Sequence, residues 1–336
     1  MNAVSARSEP ETAADVTALA RHALAHWGVH GGEPELLKYR ENAVFRVRLA
    51  DGRPAALRIH RLGYHSDAAL RSELQWMAFL QSAGVATPSP VPTLAGDLFV
   101  PVGLGTSTPR QVDCLSWLEG CAVGARGVPL GYTPLRARDV FTAIGRTIAR
   151  MHNAAAGWAP PPGFARHAWD FDGFFGANPT WGRFETCPFL DDANRELVHR
   201  AHHKAVEALS RHERSARNFG LIHADLVREN VLLDGDSIQI IDFDDCGHGW
   251  HAYIGIRAGH IFRLRDRRGA GRKRRHQCLD RRADLLPDRN GRNGGRVGRR
   301  IGRIGFRSDD VGARAVAYRD ARDFLCRRVL GKRVRR

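Results

Sequence analysis

The chain has 336 residues, 43% of them hydrophobic, with 52 Lys+Arg against 36 Asp+Glu and a formal net charge of +16. That is enough for one large two-lobed domain or two ordinary ones with a full core. No run approaches the roughly 20 uncharged apolar residues that span a bilayer, and MNAVSARSEPETAADV lacks the apolar centre of a signal segment, so a cytoplasmic protein without membrane attachment is expected.

In chain order, residues 1–15 are polar and predicted disordered, and a helix is predicted from about Val16 to Trp27. Strands follow at Ala43–Leu49 and Ala55–His60, joined through Asp51-Gly52-Arg53-Pro54. Leu57 and Ile59 share one face of the second strand, which turns Arg58 to the other. Ser66 and Asp67 are cap residues for a helix to about Ala83, with Leu70, Leu74, Met77 and Leu80 on one side, Glu73 on the helix and Gly84 as its stop. A proline-rich connector at Thr87–Pro92 leads to strands ending in Gln111–Leu118 and the turn Glu119-Gly120. Val140, Ile144, Ile148 and Met151 recur at helical spacing behind Asp139, predicting a buried helix that ends near Asn153. An aromatic, Pro/Gly-rich stretch over 157–184 is too aromatic for a plain linker, and Trp158, Trp169, Phe174, Phe175 and Trp181 read as core in preference to ligand-stacking residues. A helix over Asp191–Arg214 and short strands at Phe219–His223, Val231–Asp234 and Ser237–Asp242 complete the series.

From Ile254 onward the composition changes: residues 254–336 hold 27 Lys+Arg, 8 Asp and no Glu, which leaves 25 basic against 28 acidic residues in the first 253. This Arg/Gly-rich tail lacks helical periodicity and is predicted disordered. Two readings of it stand: an out-of-frame translation of a GC-rich gene, which the nucleotide sequence would reveal, and an arm that binds nucleic acid through clustered arginines. The six cysteines (Cys114, Cys121, Cys187, Cys246, Cys278, Cys326) form no CxxC or Cys/His cluster and are expected to be reduced. His202 with His203, and His248 with His251, lack partners at ligand spacing and are not taken as metal sites.

Chemistry concentrates in LIHADLVRENVLLDGDSIQIIDFDD, residues 221–245. It contains His-x-Asp-x-x-x-x-Asn at 223–230, a hairpin through Asp234-Gly235-Asp236, and Ile-Asp-Phe at 241–243. Phosphoryl transfer needs a carboxylate for the attacking hydroxyl and oxygen ligands for magnesium. Asp225 is the candidate base, and Asn230 and Asp242 are the candidate metal ligands. Asp234 and Asp236 read as turn residues. Asp244 and Asp245 divide between metal or substrate contacts and solvated or loop-stabilising roles, and Arg228 between phosphate or substrate contact and surface exposure. No GxxxxGK[ST] is present, which sets P-loop chemistry aside.

With ENAVFRV, ALRIHR, SELQWM, SWLEG and IGRTIARMH preceding this segment in order, residues 35–253 resemble the aminoglycoside phosphotransferase/choline kinase family, relatives of the protein kinases that include homoserine kinase type II and a stress-response Ser/Thr kinase-like branch. The resemblance implies an α+β, two-lobed protein-kinase-like fold: a small β-rich N-lobe over 16–118 that binds nucleotide, and a larger helical C-lobe over 119–253. It implies ATP and Mg2+ as cofactors and a small-molecule hydroxyl (an amino alcohol, homoserine or an aminoglycoside) as acceptor. Asp225 then resembles the catalytic base, His223 the histidine that buttresses its loop, and Asn230 and Asp242 the magnesium ligands. Arg58 stands where the family has a lysine on the ATP phosphates, with Glu73 as its ion-pair partner, and Ser116–Gly120 resembles the hinge whose backbone binds adenine. Ile254 replaces the aspartate that braces the catalytic loop in the family. The alternatives are a Ser/Thr protein kinase, an inactive kinase-like remnant, and nucleic-acid binding through the tail.

Overall fold

The computed structural model describes residues 12–105, 108–125 and 128–254. Helix α1 (Ala13–Ala23) opens with a reciprocal capping box between Thr12 and Asp15, and a short 3-10 turn over Leu24–Trp27 extends it. This corrects the predicted disorder over 1–15 at its end: the cap satisfies the first free N–H groups, so the helix begins at Ala13. Residues 1–11 lie outside the described residues.

Strands β1 (Glu35–Tyr39), β2 (Ala43–Arg48) and β3 (Pro54–Ile59) precede helix α2 (Asp67–Ser82), and β4 (Phe99–Val102) and β5 (Arg110–Ser116) follow it. They form one antiparallel sheet in the order β1-β2-β3-β5-β4. Strand β1 was not predicted, because four of its five residues are exposed and ELLKY shows no alternation. The two faces of the sheet have different duties. Phe45, Leu57, Ile59 and Val112 pack with Val16, Leu19 and Ala20 of α1 in one core. Arg58 and Asp113 face the other way, where α2 lies. As predicted, Leu70, Leu74, Met77 and Leu80 of α2 are fully buried, Ser66 caps the helix, and Gly84, at φ +78°, ends it in a left-handed conformation that suits glycine.

Beyond the hinge come β6 (Cys121–Ala122), α3 (Pro134–Ala156), β7 (Ala168–Trp169), α4 (Phe171–Phe175), α5 (Asp192–Ser210), β8 (Phe219–Ile222), β9 (Val231–Asp234), β10 (Ser237–Ile240) and β11 (Gly247–Trp250). Helix α3 starts before the predicted Asp139, because Thr133 accepts from Arg136 N–H and Pro134 fits the first turn. Two small sheets, β10-β9-β6 and β7-β11-β8, carry the segment 221–245. Leu221, Ile222, Val231, Ile240 and Phe243 of that segment share one core with Val140, Ile144 and Met151 of α3 and with Leu74 and Trp76 of α2. The loops between these strands are therefore anchored at both ends by fully buried side chains, each worth about 1.5–3 kcal/mol.

Cys114, Cys187 and Cys246 are free and buried, whereas Cys121 is disulfide-bonded, which departs from the expectation of six thiols. Among the described residues no helix is long and apolar enough to cross a membrane. Ile254 is fully buried in the larger core, and the rest of the basic tail, with both readings of it, lies outside the described residues.

Candidate active site

Strand β8 delivers His223, Ala224 and Asp225 to one end of the core. His223 is buried; its Nδ1 accepts from Asp225 N–H at 3.3 Å, so its Nε2 donates to the Ile241 carbonyl at 3.0 Å. Ala224 takes φ +63°, a left-handed conformation that costs a non-glycine residue about 1–2 kcal/mol and turns the chain sharply before Asp225. A short 3-10 turn over Arg228–Asn230 then brings the Asn230 side chain back: its Nδ2 donates to the Asp225 carbonyl at 2.9 Å and to Asp225 Oδ2 at 3.3 Å. Ile241 N–H donates to the Asn230 carbonyl at 3.0 Å. Both His223 and Asn230 thus grip Ile241, and Asp242 follows it directly at φ +68°. Asp225, Asn230 and Asp242, separated by up to 17 positions in the chain, come together in this way.

Burial is the largest influence on the Asp242 carboxyl and pushes it up; Lys38 pulls it down, Asp244 and Asp225 raise it, Arg58 lowers it, and it comes to rest at about 7. Its side chain keeps 36% exposure, so solvent screens part of that shift. A carboxylate crowded by two others attracts a cation. The fit to a hard divalent ion is chemical as well as electrostatic: with Asn230 Nδ2 committed to Asp225, the Asn230 Oδ1 is the side-chain atom left for a ligand, and Asp242 offers carboxylate oxygens.

Arg58 and Glu73 pair as predicted, Nη1 to Oε1 at 2.9 Å. The sequence reading missed their third partner. Asp113, directly opposite Arg58 on β5, accepts from Arg58 Nε at 2.8 Å and Nη2 at 2.7 Å, and lies 2.8 Å from His60 Nε2. Burial pushes the Asp113 carboxyl up, but Arg58 and then His60 outweigh it and hold it at about 2. Three of the five guanidinium N–H groups are thereby committed to buried carboxylates, a second acidic partner beyond the Glu73 that the resemblance implies. A lone aspartate between Val112 and Cys114 in an apolar strand was the available signal.

Arg166, from the aromatic stretch, was also missed. It donates to the carbonyls of Cys246 at 2.6 Å, Asp244 at 2.5 Å and Ala69 at 3.1 Å, and its Nη1 lies 3.7 Å from Glu73, so it ties α2 to the chain just after Asp242. Tyr64 donates to Asp245 Oδ1 at 2.6 Å, and His65 Nε2 lies 3.3 Å from Asp244 Oδ1, which gives both aspartates loop-stabilising partners. His65, Glu73 and Asp244 present ligand atoms within 4.8 Å of one another, but the guanidinium groups of Arg58 and Arg166 already supply the countercharge there. Arg228 is buried, against the alternative of surface exposure, and donates to the carbonyls of Val128 and Ala125 at 2.8 and 2.5 Å. Asp234 and Asp236 flank the β9–β10 turn as predicted, with Asp236 paired to Arg136 at 2.7 Å. Trp169 lies in the core, with Trp158, Phe174 and Trp181 packed against it.

Comparison with known proteins gives a consistent set. The sequence model described as the phosphotransferase enzyme family matches residues 35–282, past Tyr253, where the sequence reading ended its resemblance. The amicoumacin kinase of Bacillus subtilis (strain 168) is 25% identical over 240 residues, which are 68% of this chain and 62% of that protein. The homoserine kinase of Methylobacillus glycogenes is 30% identical over 181 residues, 53% of this chain and 48% of that protein. The chain thus spans less than two thirds of the length of these relatives. Among solved structures, that of the microcompartment-associated aminopropanol kinase is similar with a TM-score of 0.61 and 31% identity, covering 72% of this chain and 73% of that one.

Proposed function

The chain belongs to the phosphotransferase enzyme family and has a protein-kinase-like fold, and from that premise we propose that it transfers the γ-phosphoryl group of ATP to a hydroxyl of a small molecule. The observation that carries this reading is the joined arrangement of Asp225, Asn230 and Asp242 around Ile241. Asp225 orients the acceptor hydroxyl and takes its proton, and the Asn230 donation to Oδ2 keeps that carboxylate in place. Asp242 and Asn230 Oδ1 would hold Mg2+, whose charge offsets that of the phosphates when it is bound. The Arg58–Glu73–Asp113 network fixes α2 against the sheet, so that both walls of the nucleotide cleft keep their spacing.

An acceptor with a primary or secondary hydroxyl and a nearby amine agrees with the acceptors named for the relatives, aminopropanol and homoserine. The reading is tested by ATP consumption with Mg2+ across a panel of amino alcohols, homoserine and aminoglycosides. Activity on one class, falling by about 10²–10⁴ in Asp225→Asn with the melting temperature unchanged, is the expected result. Activity that survives that substitution would remove Asp225 from the reaction.

A further inference from the structure

Lys38 is a positively charged side chain at the nucleotide end of the cleft that the reading above leaves without a role. Strand β1 pairs with β2 as Leu36 opposite Phe45, then Lys38 opposite Val44 and Tyr39 opposite Ala43, with a bulge between Leu36 and Lys38. Without the bulge Leu37 would stand opposite Val44, and Lys38 would share a face with Ala43 and Phe45, toward α1. The extra residue reverses that. Lys38 joins a cross-strand row that continues through Val44 to Arg58 and Asp113, all on the cleft face of the sheet. Bulges beside active sites re-aim side chains in this manner. The result is direct: Lys38 Nζ lies 3.8 Å from Asp242 Oδ2, while its side chain remains 45% exposed.

Arg58, in the same row, has the wrong charge balance to attract phosphate. Its guanidinium is shared by Glu73 and Asp113, so two buried carboxylates already stand against its single charge. Rigid bidentate pairing also removes the reach that a phosphate contact needs. Lys38 differs: among the described residues its one ion-pair contact, with Asp242, is loose, and an ammonium on a four-carbon stem can swing from the aspartate to a phosphate oxygen.

We infer that Lys38 supplies the mobile positive charge for the terminal phosphates of ATP, a role that Arg58 cannot fill while it is locked between Asp113 and Glu73. The inference rests on the phosphotransferase reading and adds to it a residue on β1. Asp242 would hold Mg2+, and Lys38, its present ion-pair partner, would then be free to reach a phosphate oxygen.

The test is calorimetric titration of the full chain and of Lys38→Met with Mg-ATP and, separately, with AMP, checking that both proteins melt alike. Loss of one charge-assisted contact predicts about tenfold to hundredfold weaker ATP binding in the variant with AMP binding unchanged. Unchanged ATP binding in Lys38→Met, or equal losses for ATP and AMP, overturns the role of Lys38 while leaving the phosphotransferase reading intact. Failure of the unsubstituted chain to bind Mg-ATP overturns that reading and this inference together.

Discussion

Asp113 shows how a single residue can redirect a site. An arginine in place of a lysine keeps the charge, but its planar fork has donors for two carboxylates at once, and β5 supplies the second at the position directly opposite. The pairing does little for net stability, since removing two charges from water offsets most of their attraction; its yield is fixed geometry. Breaking it is a different matter. Asp113→Ala leaves Arg58 and His60 buried without that acceptor and is expected to cost about 3–5 kcal/mol in urea unfolding. A loss below about 1 kcal/mol would mean that water reaches the guanidinium and that Arg58 is less locked than its geometry indicates.

At the scale of elements, apolar periodicity located α2 and the strands of the catalytic segment, because each buries one regular face. It did not locate β1, which is held by backbone pairing to β2 and buries little of its own, and it placed the start of α3 too late. The first turn of α3 is polar and held by its cap: Thr133 and Pro134 satisfy or remove free N–H groups without adding to the apolar stripe. Thr133→Ala should accordingly cost about 1 kcal/mol, read as a shift in the denaturant midpoint at constant slope. No shift would show that packing alone fixes the helix start.

For the whole molecule, burial and the stacked His251 ring hold His152 down at about 4, and burial with Arg166 and His65 holds His167 down at about 3. Both bind protons more readily in the unfolded chain, so stability falls as pH drops below about 6.5, by up to about 1.4 kcal/mol per pH unit for each group, until the folded values are reached. Asp242, raised to about 7, works in the opposite direction between about 7 and 4, because there the folded state holds the extra proton. Urea midpoints at pH 7, 5.5 and 4.5 are therefore expected to decline, and to decline more steeply in Asp242→Asn. A variant that tracks the unsubstituted protein across that range would contradict the raised carboxyl.

The amino-acid sequence by itself determined the family resemblance, the order of the longer helices and of most strands, and the candidates Asp225, Asn230 and Asp242, because the spacing of those groups along one segment is local and the chemistry of phosphoryl transfer restricts the residue types. It also determined that Arg58 faces away from Leu57 and Ile59, a consequence of strand alternation. Only the tertiary structure decided what Arg58 meets there, that Arg166 ties Glu73 to the segment behind Asp242, and that a bulge turns Lys38 toward the cleft. Those outcomes depend on which strands pair and in what register. Lys38 and its partner Val44 lie six residues apart, Arg58 and Asp113 lie 55 apart, and a shift of one residue sends a side chain to the opposite face.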